Sequence, residues 1–159
     1  MKPIIFESMA KGMLFLHLVA AVCCIAVAVH LLLRAWRGVQ ASRTFTASMR
    51  LHAKMLLIAY SAAFLLGGAI YPTYRVRVRG EYFDPQLPWA TGLFEIKEHL
   101  ASMAFLPVVA LYVLSRRLEF HIEADRRYSP FFFGLAGFIL FVFIYNGVAG
   151  WYLSSLKSL

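Results

Sequence analysis

Charge is scarce in this chain. Only 15% of the 159 residues are charged, and eight acids stand against 16 Lys and Arg. Cysteine is nearly absent, with two adjacent residues, Cys23 and Cys24. That excludes a disulfide-stapled secreted scaffold. With ten Gly and six Pro, collagen-like and low-complexity chains are excluded too. What fills the sequence is apolar. Hydrophobic residues make up 61% and aromatics 16%, where soluble domains average about 45–50% apolar. A water-soluble domain could not cover that much apolar surface without patches that drive association. The chain reads as one domain dissolved in a lipid bilayer.

The uncharged runs locate the spans. No Asp, Glu, Lys or Arg occurs within 12–33, 55–74, 99–115 or 128–156. About 20 apolar residues cross a hydrocarbon core as a helix, and the backbone there must bond to itself. The expected fold is an all-α, antiparallel four-helix membrane bundle with spans at about 12–33, 55–74, 93–115 and 130–153. Small residues should pack the helices together, leaving Phe131, Phe132, Phe133, Phe138, Phe141 and Phe143 of span four to face lipid. Ala26-Val27-Ala28 has the small-x-small form of a signal cleavage site, but the apolar run is too long for one.

Bases crowd two connections. Arg34, Arg37, Arg43, Arg50 and Lys54 lie in the first, and Arg116, Arg117, Arg126 and Arg127 in the third. The positive-inside tendency puts both in the cytoplasm, with both termini and the 75–92 loop outside, as in a bacterial inner membrane. The net charge of +8 is explained by headgroups, so no nucleic-acid partner is expected. In the outer loop, Arg75, Arg77 and Arg79 alternate with Val76 and Val78. That period of two predicts an extended segment with three Arg on one face, a candidate docking edge for a partner.

Ionisable groups within spans are expensive and mark function. His17 and His99 fall near the outer ends of spans one and three, and His30 and His52 near the cytoplasmic ends of spans one and two. His17 shares a helical face with Met13, Ala20, Cys24, Ala28 and Leu31, and His99 with Met103, Leu106 and Ala110. If both faces point inward, two imidazoles at equal depth can hold one haem b. His30 lies about 140° around the helix from His17, which argues against a second stacked haem. Glu95, one turn before His99, could orient its ring. Glu95, Glu98 and Tyr71 are candidate proton acceptors for a quinone. This pattern points to an electron-transfer subunit of a redox or respiratory membrane complex.

Two other readings compete. The same His could tie helices together in a non-catalytic structural or assembly subunit. Alternatively, Met9, Met13, His17, His99 and Met103, spaced by four within each group, could offer thioether and imidazole to copper. No phosphate-binding glycine loop, zinc-spaced Cys/His set or nucleophile arrangement is evident, so a stand-alone enzyme is not expected.

A reduced-minus-oxidised absorption spectrum separates the three readings. Haem predicts α and Soret bands that vanish in both His17→Ala and His99→Ala. Copper predicts that Met13 and Met103 matter as much as the His. A structural subunit predicts failed assembly with no chromophore.

Overall fold

In a computed structural model, residues 4, 6–36, 43–119, 122, 125 and 127–159 are described. Lys2, Arg37, His121 and Arg126 lie outside them. Four helices dominate: α1 Ala10–Trp36, α2 Arg43–Tyr74, α3 Pro88–Arg117 and α4 Ser129–Leu156. All four are long and apolar enough to cross a membrane. Their outer surfaces carry large apolar side chains such as Leu65 (71% exposed) and Leu106 (74%), as suits a lipid environment. The chain is an integral, multi-pass membrane protein with an all-α four-helix bundle fold.

The ends of the helices follow local chemistry. Pro88 opens α3 and Pro130 lies in the first turn of α4, where a missing N–H costs nothing. Arg116 and Arg117 close α3 beside its C-terminal carbonyls. Pro72 and Pro107 lie within α2 and α3, as neighbouring helices allow in a bilayer. Trp36, Trp89 and Trp151 stand exposed near helix ends, the interfacial position indole prefers.

The helices sit at the corners of a square. α1 packs along α2 and α4, α3 packs along the same two, and α1 and α3 are diagonal. The core includes Cys24, Ala28 and Leu31 of α1, Met49, Ala53 and Leu56 of α2, Ala104, Val108 and Leu111 of α3, and Phe132, Ile139 and Val142 of α4. The small-residue face of α1 thus points inward. The expected inward face of span three does not: Met103 (64% exposed) and Leu106 (74%) point outward, while Ala104 and Val108 are fully buried. Small side chains let helices approach closely, so the Ala104 face wins over the bulkier one. Among the phenylalanines expected to face lipid, Phe132 and Phe143 are buried.

Residues 75–92 also depart from expectation. They form no extended strand. Arg75–Phe83 continues α2 as π-helical turns, Asp84–Gln86 adds a helical turn, and Leu87 alone links it to α3. A lone strand would leave its backbone unpaired, whereas a helix satisfies its own. The three Arg are not equivalent. Arg77 pairs with Glu7 (2.7 Å) and Glu81 (3.0 Å), Arg79 pairs with Glu95 (2.7 Å) and Asp84 (3.6 Å), and Arg75 is exposed. Val78, Phe83, Ala90, Phe94 and Leu153 form a second apolar cluster beneath this segment.

At the other end, Arg50 of α2 forms an ion pair with Glu119 and donates to the Ser115 carbonyl at 3.1 Å. At mid-bundle, Tyr60 donates to the Ala101 carbonyl of α3 and packs on Phe143 of α4, 4.9 Å between ring centres. Tyr60→Phe keeps the ring and loses the hydrogen bond, so it should cost about 0.6 kcal/mol, the usual scale for interhelical bonds in membranes. Tyr60→Ala should cost about 3–5 kcal/mol through the cavity it leaves. Equilibrium unfolding in mixed micelles measures both.

Candidate functional site

The polar interior lies near the end of the bundle where residues 75–92 join α2 to α3. His17 enters it from α1. Its ring is half-buried, and its Nδ1–H donates to the Ala63 carbonyl of α2 at 2.8 Å. A carbonyl can only accept, so the proton is on Nδ1 and the Nε2 lone pair remains available. Room for the ring comes from Gly67, one turn beyond Ala63. A Cβ at Gly67 would lie 3.2 Å from His17 Cε1.

Lys97 enters from α3. It lies nine residues after Pro88, about 13–14 Å along the axis. Its stem runs past Gly150 of α4, where a Cβ would lie 3.2 Å from Lys97 Cε. Its ammonium stands 5.6 Å from the centre of the Phe94 ring. Among the described residues, Lys97 has no carboxylate within ion-pair distance. Glu98 acts on it electrostatically, and Lys97 acts in turn on His17. His17 and Lys97 thus come to this end of the bundle from diagonal helices.

Aromatic rings wall the same region. Tyr74 stacks on Phe94 at 4.3 Å between centres, and Tyr71 lies parallel to Phe94 at 6.3 Å. Tyr74 also feels the charge of Glu98. Three buried polar atoms lack a hydrogen-bond partner among the described residues: Tyr74 OH, Thr73 Oγ1 and Asn146 Oδ1. Asn146 precedes Gly150 by one turn of α4. The region offers an ammonium, an imidazole, a phenol and a carboxylate beside flat aromatic faces. Such a set can hold a planar molecule with carbonyl oxygens and move a proton to or from it.

The residues expected from sequence fall in several places. Tyr71, Glu95 and Glu98 lie around the Lys97 region, though the Glu95 carboxylate is engaged by Arg79. His99 is exposed on α3, and its Nδ1–H donates to the Glu95 carbonyl of its own helix at 2.7 Å. The backbone of Glu95, not its carboxylate, orients that ring. His17 and His99 therefore do not converge on one slot inside the bundle. Of the methionine set, Met9 (61%) and Met103 (64%) are exposed and Met13 is half-buried. Among the described residues, no three His, Cys, Asp or Glu gather as a metal-ligand group.

Lys97, Tyr74 and Asn146 were missed in the sequence. Lys97 counts there as one charge of a balanced loop. Its signal is Pro88, which starts the helix early and puts Ala90, Phe94, Lys97, Ala101, Ala104 and Val108 on one face at helical spacing. Comparison with family models, characterised proteins and solved structures finds no match.

Gly67 tests the seating of His17. Gly67→Leu puts a side chain where the imidazole lies and should cost about 1–3 kcal/mol, lowering the thermal midpoint in detergent. Gly68→Leu should be far milder, since nothing lies within 4 Å of a Cβ there.

Proposed function

We propose that this chain is the membrane-embedded subunit of a redox complex and that it receives a quinone headgroup beside Lys97. The observation that carries the reading is the lysine itself. A cation within a lipid-spanning bundle is costly, and half-buried Lys97 has no carboxylate at ion-pair distance among the described residues. A ligand carbonyl supplies what the protein withholds. The Lys97 ammonium donates to one quinone oxygen, the stacked Tyr74–Phe94 pair offers an outer ring face to the headgroup, and Glu98 takes or returns the hydroxyl proton. The chain binds and orients the headgroup, and electrons pass to or from the redox centre of a partner subunit. In a bacterial inner membrane with the Arg-rich connections in the cytoplasm, this site opens near the outer face.

A haem b reading keeps one supporting feature. His17 holds its Nδ1–H on a backbone carbonyl and leaves Nε2 free, as metal-bound imidazoles do. Its second axial ligand would have to come from elsewhere than the inward faces of this bundle, because His99 points away from them. No step of the quinone reading runs through a haem.

Lys97→Met tests the proposal on two axes. Removing an unpaired interior charge should raise the thermal midpoint of the ligand-free protein by a few degrees, on the order of 1 kcal/mol. The same change should weaken binding of a short-chain benzoquinone, followed by tryptophan quenching, by about tenfold or more. Unchanged quinone affinity together with a lower midpoint would make Lys97 a helix tie and this chain a structural subunit.

A further inference from the structure

A second pair of bases meets near the opposite end of the bundle. His30 lies 13 residues beyond His17, about 20 Å along α1. It faces His52 of α2, with ring centres 6.2 Å apart and planes inclined by 48°. His30 is exposed and His52 half-buried. The Nδ1–H of His52 donates to the Ser48 carbonyl at 2.8 Å. That bond fixes the tautomer and leaves Nε2 as a free donor atom, the arrangement that orients metal-bound histidines. Neither helix ties these rings to a carboxylate among the described residues.

The separation limits what the pair can hold. With Cu(I)–nitrogen bonds of about 1.9 Å, a little shorter than those of zinc, two imidazoles in line on one ion place their centres about 6.1 Å apart. The observed 6.2 Å is close to that of an in-line pair. A tetrahedral angle would draw the centres to about 5 Å. Zn(II) also seeks four ligands in a closed site, and no third His, Cys, Asp or Glu joins this pair among the described residues. Cu(I), a d10 ion content with two nitrogens nearly in line, fits both the number and the angle. The neighbouring sequence is rich in thioether as well. Met49 and Met55 flank His52 at three residues on either side, and imidazole and thioether are the donors that suit copper.

We propose that His30 and His52 form a two-imidazole site for Cu(I), bridging α1 and α2. The exposed ring of His30 gives the ion access, and binding ties the two helices together. This site is independent of Lys97 and of the quinone reading.

The test uses the full-length protein in mild detergent, titrated anaerobically with Cu(I) against a chromophoric chelator. One equivalent should bind, and X-ray absorption should show two nitrogen neighbours. His30→Ala and His52→Ala should each weaken binding by at least about tenfold, with helical content and elution volume unchanged. Lys97→Met should bind Cu(I) like the parent protein. Undiminished Cu(I) binding in the double His30→Ala/His52→Ala variant overturns the proposal. So does no binding by the parent, or tighter four-coordinate binding of Zn(II) at the same pair.

Discussion

Hydrocarbon offers no water to a free N–H or C=O, and each unpaired group there costs several kcal/mol. Most of this architecture follows from that constraint. It makes the four apolar runs helical. Beyond Tyr74, where the apolar run ends, α2 runs on as further helical turns. The π-helical turns of Arg75–Phe83 and the turn Asp84–Gln86 keep the backbone bonded to itself, leaving Leu87 as the only non-helical residue before α3. The ion pairs of Arg77 and Arg79 come afterwards. Pairs this exposed contribute about 0–1 kcal/mol each, too little to choose the conformation. They instead fix how the helical connection lies on Glu7 and Glu95.

Once the backbone is satisfied, side-chain size decides what packs. Lipid is as apolar as any core, so hydrophobicity alone does not press helices together. Small residues recur in the interior, among them Cys24, Ala28, Ala53, Ala63, Ala104 and Ala136, and larger side chains such as Leu31, Leu111 and Phe132 pack between them. Glycine goes further and makes room for polar groups. Gly67 admits the His17 ring, and Gly150 admits the Lys97 stem. Both polar side chains therefore enter through notches in a neighbouring helix rather than through a preformed cavity. The packing that closes the bundle also sets their positions.

The same physics explains what could be read in the sequence. Four spans are legible because an uncharged run of about 20 residues has few alternatives to crossing a bilayer. The inward face of α1 is legible because its small residues recur every four positions. The inward face of α3 is not, when judged by apolarity. Met103 and Leu106 are apolar and face outward, while Ala104 and Val108 are inside, and only size tells the two faces apart. The alternation of Arg75 to Arg79 resembles a strand, yet period two has meaning only beside a partner strand, and none is present among the described residues. Lys97 was hidden for a simpler reason. Counting it as a loop charge starts the span after it, whereas Pro88 starts the helix before it.

The distribution of charge between interface and interior runs against stability. Arg77 and Arg79 sit where headgroups and water could satisfy them, yet Glu7, Glu81, Asp84 and Glu95 are arranged around them. Lys97 lies deeper, where a counter-ion would matter more, and no carboxylate reaches ion-pair distance among the described residues. Buried polar atoms of Tyr74, Thr73 and Asn146 also lack hydrogen-bond partners among the described residues. A cluster selected only to join helices would match its charges and close its hydrogen bonds, since half-satisfied interior networks are worse than apolar packing. The two ends of this polar region thus differ: among the described residues, Arg77 and Arg79 are matched by carboxylates, and Lys97 is not.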